Sequence, residues 1–250
     1  MKNVKAKKYL GQHFLSDNNI ANSITNLLSK TNIKVLEIGP GMGALTQFLI
    51  QKNISLETIE IDHESVLFLK LKYPKLIVKE EDFLKLDIKK KYPKGISIIG
   101  NFPYNISSQI LFKIFKNRNQ IRELVGMFQK EVAERVTCKK GKKRGVLSVF
   151  IQAFYTAEYC FSVDPKSFTP PPKIKSGVIK LIRNTRKKLI CDEELFIQIV
   201  KNGFNQKRKT LRNALKNFNL DNKKDIEPLL KLRAEQLSVD DFIKITNHVR

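Results

Sequence analysis

The run Val35-Leu36-Glu37-Ile38-Gly39-Pro40-Gly41-Met42-Gly43-Ala44-Leu45-Thr46 reads as a buried strand, a glycine-rich turn and an amphipathic helix, an order that few folds accommodate. Glycines at 39, 41 and 43 permit positive φ and close backbone approach to a ligand. A second strand pattern, Leu56-Glu57-Thr58-Ile59-Glu60-Ile61, places Glu60 21 residues after Gly39. An acid at that distance in a βαβ unit accepts hydrogen bonds from ribose hydroxyls. The alternation continues, with strands expected at 34–38, 55–61, 76–80, 95–100 and 122–128. Helices are expected near 16–29, capped by Ser16-Asp17, and at 44–52, 63–72, 106–116 and 129–137. Such alternation predicts an α/β fold with a mostly parallel, doubly wound sheet. Residues 146–156 and 175–183 read as two further strands joined by a Pro-rich loop. Beyond 184 strand character disappears, and helical periodicity at 192–203, 207–217, 224–232 and 238–248 predicts a small all-helical domain. The expected division is 1–184, led by a basic arm over 1–15, and 185–250.

The turn does not suit a pyrophosphate cofactor. Dinucleotides favour G-x-G-x-x-G at a helix N-terminus open to phosphate. Here the spacing is G-x-G-x-G, preceded by the carboxylate of Glu37. After a third strand pattern comes Glu80-Glu81-Asp82-Phe83. Asp82 is placed to accept an adenine amine, with Phe83 packing beside it. An acid-lined pocket repels pyrophosphate and tolerates a sulfonium, so S-adenosylmethionine is the better fit.

A second motif, Asn101-Phe102-Pro103-Tyr104, follows the apolar run Ile96-Ser97-Ile98-Ile99-Gly100. The Asn101 amide oxygen and the Phe102 carbonyl are both acceptors for an amino group conjugated with a ring. Pro103 fixes its own φ and restricts the residue before it, which aims that carbonyl. Tyr104 offers a flat face for the ring. A nucleobase with an exocyclic amine, adenine or cytosine, fits this cradle. Phe168 is a candidate for the opposite face of the base, with core or loop anchoring as the alternative.

Charge points to a polyanionic partner. Lys+Arg 47 against Asp+Glu 24 gives a net +23, far beyond what solubility requires. Two basic runs stand out: Lys139, Lys140, Lys142, Lys143 and Arg144 after one helix, and Lys207, Arg208, Lys209 and Arg212 at what reads as the opening of another. Basic residues at a helix N-terminus oppose the macrodipole, which suggests a phosphate-binding reason for their presence. No run of 18 apolar residues occurs, so no transmembrane helix is expected. The basic N-terminus lacks a signal-peptide core, which makes the cytoplasm the expected compartment. Cys138, Cys160 and Cys191 are widely spaced and read as reduced thiols, with no metal site indicated.

Taken with several dispersed segments, these motifs resemble the ribosomal RNA small-subunit adenine N6,N6-dimethyltransferase family. The matching segments are Gly11 to Leu15, Glu37 to Thr46, Glu60, Asp82, Asn101 to Ser107, Gln129 to Arg135, Phe168 to Lys173 and Ser176 to Val178. The resemblance covers residues from about 7 to 183, and the remainder fits more loosely. It implies a Rossmann-like class I methyltransferase domain with a small helical C-terminal domain. It also implies dimethylation of two adjacent adenosines near the 3′ end of 16S rRNA, on the 30S particle, by a monomer acting in late subunit biogenesis. S-adenosylmethionine would be held by His13, Leu15, Gly39, Gly41, Glu60, Ile61, Asp82, Phe83 and Asn101. Asn101, Phe102, Pro103 and Tyr104 would carry the chemistry. His13 stands where many relatives have Asn and would reach the cofactor carboxylate through a ring nitrogen; Phe102 replaces Leu or Ile. The resistance methylases of large-subunit rRNA share the fold and the Asn-x-Pro-Tyr loop. A non-catalytic assembly factor and a DNA adenine methylase are the other readings.

Overall fold

The structure is a computed structural model that describes residues 4–30, 32–221 and 223–249; residues 1–3 of the expected arm lie outside the described residues. In chain order it begins with β1 (Phe14–Leu15), α1 (Asn18–Asn26), β2 (Lys34–Ile38), α2 (Thr46–Leu49), β3 (Leu56–Glu60), α3 (His63–Lys72) and β4 (Val78–Glu80). There follow α4 (Ile88–Lys91), β5 (Ile96–Asn101), α5 (Ser107–Lys116), β6 (Ile121–Gln129), α6 (Lys130–Thr137), α7 (Val146–Phe154) and β7 (Tyr155–Val163). The chain closes with β8 (Phe168–Thr169), β9 (Ser176–Arg183), α8 (Glu193–Asn205), α9 (Leu211–Ala214), α10 (Lys223–Leu230) and α11 (Val239–Thr246). Contacts group it into two compact units. One runs to Ala133 and resumes over Thr156–Arg183; the other comprises Glu134–Tyr155 and the chain from Asn184 onward.

The first unit carries a sheet in the order β4-β3-β2-β5-β6-β9-β7. Strands β4 to β6 run parallel, and β9 is antiparallel to β6. This is the doubly wound sheet that the alternation predicts. Its central strand β2 buries Val35, Leu36, Glu37 and Ile38, as a strand covered on both faces must. Ala21 and Ile24 of α1 and Leu45 and Leu49 around α2 pack with Val35, Ile99 and Val125. Asp17 starts α1 by accepting the Asn19 and Ile20 N–H groups at 2.9 and 3.1 Å. From β2 the chain moves out to β3 and β4, then returns to β5 on the other side. Ligands bind where the strand order reverses in this way, beyond the carboxyl ends. In a separate ribbon, β1 pairs with β8, joining the N-terminal arm to the Pro-rich loop through Phe14↔Thr169 and Leu15↔Phe168.

Two sequence expectations need correction. Residues 146–154 form the helix α7, and the strand is Tyr155–Val163. A largely apolar run such as Val-Leu-Ser-Val-Phe-Ile suits a buried helix as well as a buried strand. Ser148 decides locally, its Oγ accepting the Gly145 N–H at 2.9 Å to cap the helix. The second correction concerns 207–217. α8 ends at Asn205 and α9 begins only after its N-cap Thr210, so Lys207, Arg208 and Lys209 follow a helix C-terminus. Lys207 and Arg208 thus stand beyond the C-terminal end of the α8 dipole, which favours cations, while Lys209, next to the Thr210 N-cap, and Arg212, inside the four-residue α9, still face a helix N-terminus.

The second unit is helical. Asp192 caps α8 by accepting the Leu195 N–H at 2.7 Å, and Glu193 and Glu194 complement its N-terminus. Its core includes Phe150 against Phe196, with ring centroids 6.2 Å apart, and Phe204 against Phe242 at 6.0 Å. Among the described residues, no helix is long and apolar enough to cross a membrane. No cluster of three or more His, Cys, Asp or Glu suited to a metal occurs among them either.

Candidate active site

A cavity of about 280 Å³ opens at the carboxyl ends of β2, β3, β4 and β5 in the first unit. Gly39, Gly41, Glu60, Ile61, Asp82, Phe83 and Asn101 to Tyr104 all line it, together with His13 and Leu15 from the arm. Residues spread over some ninety positions thus meet because each follows a strand of one parallel sheet or belongs to the arm lying across it.

The two glycines differ in role. Gly39 has φ +65°, and a Cβ built there would meet nothing within 4 Å, so its backbone lies open to a ligand. Gly41, at φ +56°, would place a Cβ 2.9 Å from the Phe14 ring. Its small size therefore serves the arm packed against the turn. Its N–H also donates to Glu60 Oε2 at 2.9 Å. The other Glu60 oxygen accepts the Ile61 and Asp62 N–H groups at 2.8 and 2.9 Å. Glu60 thus shapes both its own turn and the glycine turn, and burial pushes its carboxyl pKa up. Glu37 is 1% exposed and accepts Thr46 Oγ1 at 2.7 Å. Burial, with a smaller push from Glu60, raises its pKa to about 8. Asp82 uses Oδ1 to accept the Leu84 N–H at 2.8 Å, and no described residue donates to Oδ2.

The Asn-Phe-Pro-Tyr segment is held from several sides. Asn101 Nδ2 donates to the His13 carbonyl at 2.9 Å, leaving Oδ1 as that side chain's acceptor. The Phe102 ring is 1% exposed and stacks on Phe128 with centroids 4.8 Å apart. Only glycine fits beside it at 126, where a Cβ would sit 2.5 Å from that ring. The Phe102 N–H donates to the Met127 carbonyl at 3.1 Å, and no described residue donates to its own carbonyl. Both acceptors that sequence reasoning singled out are therefore fixed and open to an incoming donor. The Tyr104 hydroxyl is hydrogen-bonded to Ser176 Oγ, and burial raises its pKa. His13 packs on the Pro-rich loop and on Tyr104. Its Nδ1 is 2.8 Å from the Pro170 carbonyl oxygen, and its ring stacks on Tyr104 at 5.6 Å with a 30° interplanar angle.

Phe168, a candidate for base stacking, is 3% exposed and belongs to the cluster around Ile24, Val35 and Val178; it does not line the cavity. Loop anchoring is the role its position supports. Arg144 requires a correction as well. It is 1% exposed, and its Nη1 donates at 2.7 Å to both the Cys138 carbonyl and Gln152 Oε1, so it braces the loop and has no surface to offer phosphate. Lys139, Lys140 and Lys142 are exposed, as is Lys143, which pairs with Glu134 at 2.6 Å. Lys207, Arg208, Lys209 and Arg212 are exposed too, with Arg212 ion-paired to Glu227. All of these basic positions lie in the second unit.

Sequence reasoning missed how the arm is fastened. Lys7 forms an ion pair with Asp62, Gln12 Nε2 donates to Asp62 Oδ2 at 3.3 Å, and Gln12 Oε1 accepts the Lys7 N–H at 2.8 Å. Asp62 directly follows Ile61, so this clamp secures the arm beside the Glu60 turn. The pair holds the Asp62 carboxyl below its ordinary range despite burial. One lysine among so many carries no signal of its own in the sequence. Tyr9, Gln12 and Asn105 also line the cavity, although no role was assigned to them from the sequence.

These residues fit S-adenosylmethionine. An open glycine backbone, a buried acid on the following strand and a free carboxylate oxygen at Asp82 match a methionine moiety, a ribose and an adenine amine. Comparisons with known proteins agree. Residues 3–250 match the model of the family described as ribosomal RNA adenine dimethylase. The chain is 54% identical to the Ribosomal RNA small subunit methyltransferase A of Cytophaga hutchinsonii, over 99% of this chain and 98% of that one. The protein of the same name from Flavobacterium johnsoniae is also 54% identical, over 100% and 97%. Among solved structures, a dimethyladenosine transferase from Plasmodium falciparum superposes with a TM-score of 0.78 at 29% identity, covering 93% of this chain and 96% of that one. The 23S rRNA methyltransferase ErmE shares the fold, with a TM-score of 0.75 at 21% identity over 94% and 99%. The chain therefore belongs to the ribosomal RNA adenine dimethylase family, whose members are S-adenosylmethionine-dependent methyltransferases.

Proposed function

We propose that this enzyme dimethylates N6 of two adjacent adenosines near the 3′ end of 16S rRNA, acting as a cytoplasmic monomer on the 30S particle late in its assembly. The observation that carries the site-level reading is the tie from Asn101 Nδ2 to the His13 carbonyl, which commits Oδ1 to the role of acceptor. The two relatives at 54% identity bear the small-subunit name, which supports the small-subunit target over the large-subunit one.

Bound S-adenosylmethionine supplies an electrophilic methyl group on a sulfonium. The protein's task is to make a poor nucleophile attack it, because the N6 lone pair of adenine is delocalised into the ring. In the first transfer Asn101 Oδ1 and the Phe102 carbonyl accept the two N6 hydrogens, favour pyramidal nitrogen and free the lone pair; in the second, one of them holds the single remaining hydrogen. Tyr104 holds the base by stacking, its ring set by the bond to Ser176. Alignment of this kind contributes about 7–11 kcal/mol to such reactions. No strong base is required, since the amine proton becomes acidic only once nitrogen carries positive charge. The adenosine has to leave its stack to reach the loop, at a cost of a few kcal/mol. In this reading Glu60 holds the ribose and Asp82 Oδ2 the cofactor's adenine amine. The first unit performs the chemistry, while the exposed Lys139, Lys140, Lys142, Lys143, Lys207, Arg208 and Lys209 of the second unit grip rRNA phosphates.

The test is methyl transfer from labelled S-adenosylmethionine to undermethylated small subunits, undermethylated large subunits and duplex DNA. Label confined to two adjacent adenosines of the small-subunit RNA is the expected result. Label on large-subunit RNA alone would assign the chain to the resistance group, and cofactor binding without transfer to any substrate would favour an assembly factor.

A further inference from the structure

Lys113 stands outside every motif, yet it reaches the loop that carries Asp82 and Phe83. It projects from α5, the helix that follows the Asn-Phe-Pro-Tyr segment. Its ammonium donates to the Leu84 carbonyl at 2.8 Å and the Leu86 carbonyl at 2.6 Å. It also lies 5.5 Å from the centroid of the Phe83 ring, close enough for a cation–π contact. The Leu84 residue is thus gripped at both ends: its N–H goes to Asp82 Oδ1 and its carbonyl to Lys113. Burial lowers the Lys113 pKa, while Asp82 and Asp87 favour the charged form. A surface lysine has no need of two carbonyls and an aromatic face; this ammonium is built into the turn.

We propose that Lys113 is a positioning residue for the cofactor's adenine site, fixing the 82–86 turn so that Asp82 Oδ2 and the Phe83 ring are set before the cofactor arrives. The inference rests on the reading that Asp82 receives the adenine amine. A lysine is suited to the task because three donors on one point charge satisfy two carbonyls from different residues. Without it those carbonyls lose their partner, the turn relaxes and the Asp82 rotamer loses its fixed anchor. Because α5 begins beside the target-base loop, the same side chain ties the cofactor's adenine pocket to the element behind the catalytic residues. It touches neither reactant.

The experiment measures S-adenosylmethionine affinity by calorimetry, and kcat at saturating cofactor, for wild type, Lys113→Met, Lys113→Gln, Asp82→Ala and the double variant Asp82→Ala/Lys113→Met. The inference expects Lys113→Met to weaken the cofactor about ten-fold with kcat within about two-fold, on a protein whose thermal transition stays cooperative. Lys113→Gln, which keeps a polar stem but cannot span both carbonyls, is expected to lose a similar factor, and it carries the test if the Met variant fails to fold. Lys113→Met should cost little further affinity once Asp82 is Ala. An affinity within two-fold of wild type in a folded Lys113 variant, or full additivity of the two losses, overturns the positioning role. If Asp82→Ala itself binds the cofactor like wild type, the adenine assignment is what fails.

Discussion

Replacing Glu37 by Gln should remove the share of the pH dependence of stability between pH 5 and 8 that this carboxyl contributes. The carboxyl is buried at the end of β2 with one hydroxyl donor, Thr46, and its pKa is pushed up to about 8 from an ordinary 4.5. Between these values the native state keeps a proton that the unfolded chain has lost. The unfolded state then binds fewer protons, so stability falls as pH rises, by about 1.4 kcal/mol per pH unit for one group. From pH 5.5 to 7.5 this amounts to about 2.7 kcal/mol, or roughly 5–10 °C in Tm for a chain of this size. Gln keeps an acceptor for Thr46 and never ionises, so its advantage over wild type should be small at pH 5 and grow toward pH 8. Depressed acids such as Glu57 and Asp62 complete their change below this window, and Glu60, also raised by burial, adds a change of the same sign that is present in both proteins, so the difference between them reads Glu37. Thermal unfolding at constant ionic strength across pH 5 to 8 reads the difference. Parallel Tm profiles for Glu37→Gln and wild type would refute the reasoning.

Three further predictions concern the arm, the basic surface and the core. Asp62→Asn removes the ion pair with Lys7, and we expect cofactor affinity by calorimetry to fall about three- to ten-fold with Tm little changed; unchanged affinity would show that the clamp does not act on the cofactor. Neutralising Lys207, Arg208 and Lys209 together should reduce the slope of log affinity for rRNA against log salt by roughly 2–3 while sparing cofactor binding. An unaltered slope would remove these residues from the RNA surface. Glu57→Ala leaves the buried Tyr92 hydroxyl without its acceptor and takes the carboxylate from the partly exposed Lys34 and Lys79, now 3.0 and 2.6 Å from it, and should destabilise the protein by about 1–3 kcal/mol in urea unfolding.

The parts of this molecule that sequence reasoning reached are those in which one local pattern has one structural solution. A continuous apolar strand entering Gly-Pro-Gly-Met-Gly has few outlets other than a parallel sheet with a ligand turn. Glu60, Asp82 and Asn101 each follow such a strand, and strand ends of one parallel sheet converge. Local pattern fails where burial or distance decides. Val146–Phe154 is apolar except for Ser148 and Gln152, and its periodicity does not separate helix from strand. In Lys139 to Arg144 the run of charge hides that Arg144 alone turns inward to brace the loop. The helix that Lys207 to Lys209 precede begins a few residues later than the periodicity indicates, which puts Lys207 and Arg208 beside the C-terminus of α8 instead. The bonds from Asn101 to His13, Lys7 to Asp62 and Lys113 to Leu84 span 88, 55 and 29 residues, and no spacing rule reaches so far.

The central claim is that a fixed pair of acceptors drives attack by an adenine N6 amine. Its most direct test is single-turnover methyl transfer to undermethylated small subunits by wild type and Asn101→Ala, with cofactor affinity measured in parallel. Loss of a preorganised acceptor in the transition state costs about 10²–10³ in rate. Loss of the bond to the His13 carbonyl, a neutral one of about 1 kcal/mol, should weaken the cofactor only about five-fold. A rate loss of that size on a protein that still binds cofactor is the predicted result. Transfer by Asn101→Ala at a rate within a few-fold of wild type would contradict it.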